Sequence, residues 1–268
     1  KKILLNLLKK MYNQIDHKQL AKELLQTSNL LRSDPKSFIP KLEATMKQFK
    51  GTILSKPMEY AVQTVEGKDA FLDAIEFLKK QNPVPTLQYD ERLERSATDH
   101  VNDLGPKGLA SHEGSDGKSV YDRIEKYCEW DKICSENIDL GGRIADDILV
   151  NLLVDDGVPD RGHRKILFSD ELKFFGCMSG IHKDFGIISV INYVGGIRNL
   201  GEESPDVANF ISDYCGRTMN TGKKRTNPFQ KDDPDAPDNT TSVKIQRCEK
   251  IMNNKQVRIT KKIYTLDD

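Results

Sequence analysis

The sequence is short of several things that would have simplified its reading. Aromatic residues make up 7% of its 268 positions, with one Trp, and apolar residues 37%. That is little for a fully compact chain of this length, so part of it is expected outside the main core. No apolar run approaches the roughly twenty residues that a membrane-crossing helix needs. Charge of one sign is missing too. Lys+Arg and Asp+Glu are both 41, which removes any net-charge argument for nucleic acid or an acidic membrane surface. Five cysteines at irregular positions do not make a disulfide framework, and an odd count leaves at least one thiol. Cys128 and Cys134 are a candidate pair in a secreted protein, while thiols in a reducing compartment explain the set equally well. The first residue is Lys1, not methionine, so a signal peptide is neither shown nor excluded. The apolar stretch from Ile3 to Leu8 is short and interrupted by Asn6.

What is present is mostly helical period, then strands. Leu4, Leu8, Met11 and Ile15 recur at helical spacing, predicting an amphipathic helix over residues 2–15. Asp16 and Gln19 resemble a capping box opening a second helix, with Leu20, Leu24 and Leu31 on its buried face and Asp34-Pro35 as its stop. Phe38, Leu42, Met46 and Phe49 predict a short helix ended by Gly51, and residues 52–66 read as a connection. Residues 68–80 form the next helix, broken by Asn82-Pro83-Val84-Pro85. Leu93, Ala97, Val101 and Leu104 mark another that ends before Gly105-Pro106, and Ile144, Ile148 and Leu152 one that stops before Asp155-Asp156-Gly157. Residues 174–178 and 186–194 read as strands around a turn at Lys183-Asp184. Helices first and strands later predict an α+β sandwich and not a parallel βαβ fold. Residues 197–242 read as a linker, crowded after 221 with Thr, Asn, Asp, Lys and Pro. Residues 243–268 read as a hairpin about Asn253-Asn254. A lone hairpin is too small to be stable, so this tail is expected to be held by a partner, through strand addition.

Four places could carry chemistry. They are the loop Gly108-Leu109-Ala110-Ser111-His112-Glu113-Gly114, the stretch Ser135-Glu136-Asn137-Ile138, the run Asp155-Asp156-Gly157-Val158-Pro159, and Arg161-Gly162-His163-Arg164. In this order they resemble the CAP superfamily (cysteine-rich secretory proteins, antigen-five and pathogenesis-related-one proteins), and its Gly-His-Arg branch of bacterial and protist members above all. Asn29-Leu30-Leu31-Arg32-Ser33-Asp34-Pro35, Leu87-Gln88-Tyr89-Asp90, Asp122-Arg123-Ile124 and Phe175-Gly176-Cys177 add to the likeness, which covers about two thirds of the chain. It implies a CAP-type α-β-α sandwich over residues 17–196 and a cleft lined by two histidines and two acids. The matching positions are His112, Glu136 and His163. The family's fourth residue, a glutamate, is missing, and Asp155 or Asp156 is the nearest substitute.

Two imidazoles facing carboxylates suit a divalent ion such as zinc, or a proton shuttle, or a purely structural hydrogen-bond network. Ser111, Ser115 and Ser135 lack a nucleophile-elbow setting, and Cys134 reads as a core residue or half a disulfide. His100 is expected at the edge of the core, with His17 and His182 in solvent. Apart from such an ion no cofactor is expected, and an ordinary enzyme is not the expected reading. The resemblance implies a binding or scaffold module. The terminal extensions point to other proteins in a large assembly, in an intracellular, cytoskeletal or ciliary setting, with neither nucleic acid nor membrane as partner. The alternative is a secreted ligand- or metal-binding protein, or a hydrolase using the cleft.

Overall fold

The computed structural model describes residues 15–55 and 61–201 with their side chains, and the backbone of residues 240–252 and 255–266. The helix expected over residues 2–15, apart from its last residue, and residues 202–239 of the expected linker lie outside the described residues. Two units separate, Lys1–Ile197 and Arg198–Asp268.

In the first unit α1 (His17–Ser33) opens at Asp16, whose carboxylate accepts from the backbone of Lys18 and Gln19. The Gln19 side chain donates to Glu23 and not back to the cap, so half of the expected capping box forms. After Asp34 the chain takes a 3₁₀ turn, Pro35–Phe38, into α2 (Ile39–Met46). Phe49 is not helical. It belongs to β1 (Phe49–Lys50), which pairs with β2 (Ile53–Leu54), which pairs with β3 (Val62–Gln63). The expected plain connection over residues 52–66 therefore carries two strands, each too short to show a period. Next come α3 (Lys68–Lys80), β4 (Gln88–Tyr89) and α4 (Glu91–Lys107). The last of these runs through Pro106, beyond its expected end. A proline in the final turn forfeits little there, because left-handed Gly108 (φ 69°) closes the helix and Leu109 N–H bonds Leu104 O. Four more elements precede the hairpin strands: α5 (Val120–Glu125), β5 (Glu129–Leu140), α6 (Ala145–Val154) and α7 (Gly162–Leu167).

The main sheet has the order β4-β6-β7-β5, where β6 is Phe174–His182 and β7 is Gly186–Arg198. β6 and β7 form the expected antiparallel hairpin, and β4 adds to β6 in parallel. Side chains alternate across a strand, and this alternation makes the layers. Phe175, Cys177, Ile191 and Tyr193 join one core with α1, α2, α3 and α6, whereas Ile188 and Val190 pack on Ala97, Val101 and Leu104 of α4. Helices thus cover both faces, and β7 is buried continuously from Ile187 to Gly195. The fold is α+β, an α-β-α sandwich. Arg32 of α1 is fully buried and donates to the carbonyls of Pro85, Leu167, Ser169 and Leu172, stitching α1 to the segments that flank the sheet. In the second unit β8 (Thr240–Met252) and β9 (Lys255–Leu266) pair antiparallel as a two-stranded sheet, and the turn expected at Asn253-Asn254 lies outside the described residues. No helix among the described residues is long and apolar enough to cross a membrane.

Candidate functional site

The loop that follows α4 has no strand partner, so its backbone must find bonds elsewhere. Three side chains from three elements supply them. His182 at the end of β6 donates from Nε2 to Leu109 O at 3.0 Å, His100 of α4 donates from Nε2 to Ser111 O at 2.9 Å, and Arg123 of α5 donates to His112 O at 3.1 Å. The carbonyl acceptors fix both histidine rings as the Nε2–H tautomer when neutral. His182 is 1% exposed and its Nδ1 accepts from the backbone of Asp184 and Phe185, so the expectation that it lies in solvent is wrong. His100 is not at the core's edge either. It is completely buried, and burial lowers its pKa. His17 is half-buried.

Held this way, His112 presents a ring that is 57% exposed, with Nδ1 2.9 Å from Oε1 of Glu136. Glu136 sits in β5 with a side chain 1% exposed, and its Oε2 accepts from Arg123 Nη2 at 2.6 Å. His100 Nε2 lies 3.9 Å from the same carboxylate. One buried Glu is therefore shared by a guanidinium and two imidazoles.

The second half of the cleft repeats the arrangement. α6 ends in a left-handed residue, Asp155 (φ 56°), which brings its carboxylate back over the start of α7. Oδ2 accepts the His163 backbone N–H at 2.9 Å and Oδ1 bonds His163 Nδ1 at 2.6 Å. This bond, opposed by partial burial, raises the His163 pKa above its ordinary value. Asp155 thus faces His163 despite its short side chain, because the chain turns to meet it. Asp156 goes elsewhere, accepting from the backbone of Val65 and Glu66. Glu66 in turn forms a two-pronged pair with Arg161, both bonds 2.6 Å, and Arg161 also donates to Asp155 O. These contacts hold the Glu66 carboxyl down at about 2. Arg161 and Arg164 share Asp73 of α3. The His112 and His163 ring centroids are 6.3 Å apart.

The structure brings His112, Glu136, His163 and Asp155 together as two imidazole–carboxylate pairs. The hydroxyls and thiols do not join them. Ser111 Oγ accepts from Glu113 N, and Ser115 Oγ bonds Asp103. Cys128, Cys134 and Cys177 are buried thiols rather than disulfides, and burial pushes Cys128 up to about 12. The residues that hold the cleft together, His100, His182, Arg123 and Glu66, were not singled out by sequence motif. Only Arg123 stood in a noted stretch, and the others carry no local pattern.

A scan of family models matches residues 56–193 to the cysteine-rich secretory protein family, CAP. The chain belongs to the CAP family. The match runs from ahead of β3 into β7 and takes in every cleft residue named above. No curated protein matches the CAP chain. Among solved structures it is similar to an extracellular protein containing an SCP domain from Bacillus anthracis (20% identity, TM-score 0.34), over 41% of this chain and 34% of that one. A second is an outer surface protein from Borrelia burgdorferi (21% identity, TM-score 0.37), over 49% of this chain and 96% of that one.

Whether the CAP cleft suits a metal ion turns on which atoms remain. Both Nδ1 atoms bond buried carboxylates, which orients each ring and leaves Nε2 as the ligand nitrogen. All four carboxylate oxygens of Glu136 and Asp155 already accept hydrogen bonds. No group of three or more His, Cys, Asp or Glu is arranged to hold an ion among the described residues. The donor set fits an open site of two imidazoles and not the four-ligand shell of structural zinc.

Proposed function

We propose that this CAP chain is a non-catalytic binding module that works inside a larger protein assembly. One observation carries the non-catalytic half. Among the described residues the cleft imidazoles His112 and His163 bond carboxylates through Nδ1, and neither is hydrogen-bonded to a hydroxyl or thiol that it could activate. What the cleft offers is two oriented Nε2 atoms, suited to a divalent cation such as zinc with its other positions open, or to a hydrogen-bonding ligand. The assembly half rests on the second unit. Among the described residues β8 and β9 form a sheet of two strands, which leaves each with an unpaired edge of the kind that accepts another strand. Neither fold nor comparison adds to the cytoskeletal or ciliary setting, and membranes and nucleic acid are not part of the proposal.

The test is affinity purification of the full chain, the chain ending at Ile197 and the His112→Ala/His163→Ala variant, with bound metal quantified in each. Partners retained by the double variant and lost on truncation are the expected result. Ester or peptide hydrolysis by the full chain that disappears in His163→Ala would overturn the non-catalytic reading. Partners that survive truncation would overturn docking through the second unit.

A further inference from the structure

The chain as a whole carries no net charge, with 41 basic and 41 acidic residues. The hairpin of the second unit does not share that balance. Antiparallel pairing sets directly opposite residues on one face of the ribbon, and successive residues of a strand alternate between faces. The register of β8 on β9 therefore places Lys244, Lys250, Lys255 and Lys261 on one face, with no acidic residue among them. The other face takes Arg247, Arg258 and Lys262, and Glu249 opposite Arg258 is the only acid in either strand. The apolar residues are divided as well. Val257, Ile259 and Ile263 of β9 fall on the first face, and Val243, Ile245 and Ile251 of β8 on the second. Ile263 is thereby opposite Lys244, Val257 opposite Lys250, and Ile245 opposite Lys262.

Neither face is then the continuous apolar surface that stacks on another sheet. What remains is the pair of outer edges, unpaired among the described residues, with basic residues on both faces of the ribbon. Lysine on an edge strand blocks ordinary strand addition, and like charges set opposite one another are unfavourable. Such an edge refuses a second copy of this hairpin, or any other basic strand. An acidic strand turns the same residues into cross-strand ion pairs while its backbone completes the edge. A nucleic-acid backbone would answer the charge, but its phosphates only accept hydrogen bonds and leave the edge's carbonyls unserved. We propose that the hairpin takes up an extended acidic segment of another protein along an edge where the register sets basic residues on both faces. The inference rests on the reading of the second unit as the docking part of the chain, and it names the partner's chemistry.

The test titrates the full chain with a peptide of about ten residues, a usual strand length, in which Glu alternates with Val. Thr-Val and Lys-Val versions and a mixed-sequence DNA duplex serve as comparisons, and hydrogen exchange locates what binds. The expected result is saturable binding of the Glu-Val peptide that weakens with salt and slows amide exchange within residues 240–266. The Thr-Val peptide binds about tenfold more weakly, the size of a few opposite-charge cross-strand pairs, and the Lys-Val peptide does not bind. Changing Lys244, Lys250, Lys255 and Lys261 together to Glu reverses the preference towards Lys-Val. If that variant does not fold, the wild-type comparison of the three peptides decides alone. Equal affinity for the three, protection outside residues 240–266, or tighter binding of the duplex than of Glu-Val overturns the proposal. Partners that are lost on truncation at Ile197 but not displaced by Glu-Val overturn it too, while leaving the docking reading intact. Partners that survive truncation remove that reading itself.

Discussion

His100 and His163 sit in opposite electrostatic circumstances, and their effects on stability run in opposite directions with pH. Burial lowers the His100 pKa, so the folded chain resists protonating a ring that the unfolded chain protonates readily. Stability from this residue is intact above the ordinary histidine value of about 6.5 and falls as pH drops through it. His100→Gln is expected to flatten that acid limb by up to about 1.4 kcal/mol per pH unit, seen in denaturant melts across the range. The Asp155 bond raises the His163 pKa, so its contribution is complete below about 6.5 and is lost as pH rises through the raised value. Asp155→Asn keeps an acceptor and removes the charge. An NMR titration of the His163 ring should show its pKa falling, and the variant's loss of melting temperature should be larger in acid than in base. Unchanged titration would mean that Asp155 does not set the ring. Glu66→Gln tests the support behind this half of the cleft. The Glu66–Arg161 pair is partly exposed, so a cost of about 1 kcal/mol is expected, and it should vanish in acid as the wild-type carboxyl titrates at about 2.

At the level of elements, close approach between sheet and helix decides where small residues are required. A Cβ on Gly176 of β6 would collide with backbone of Leu93 and Glu94 in α4, and one on Gly105 would collide with the Ile181 carbonyl. Backbone cannot swing aside as a flexible side chain can, so Gly176→Ala is expected to cost about 3 kcal/mol in equilibrium unfolding. A loss under half that size would show that α4 can slide. Helices were the legible part of the sequence, since α1, α3, α4 and α6 each bury a stripe at a spacing of three and four. β5 was not legible, and its polar residues are the reason. Glu136, Asn137 and Asp139 are all buried there, so a hydropathy pattern reads the core side of this strand as surface. The same blindness applies to His182, whose place beside a turn suggested solvent while its ring was spent on the backbone.

For the molecule as a whole, the four cleft residues were found because their order along the chain resembled a family, and not because any spacing demanded that they meet. His112 and Glu136 are 24 residues apart, and the fold alone closes that gap. The supporting roles of His100, Arg123 and Glu66 were not legible, because they act at a distance in sequence and through ordinary hydrogen bonds. The first unit holds its own two cores, so a chain ending at Ile197 is expected to unfold in one cooperative transition, checked by calorimetry against circular dichroism. The loop from Leu109 to His112 has a consequence beyond stability. It is gripped by its carbonyl oxygens, and every amino acid has one. The side chains it displays are therefore free cargo, and rewriting the cleft's chemistry at residue 112 would leave the grip that delivers it untouched.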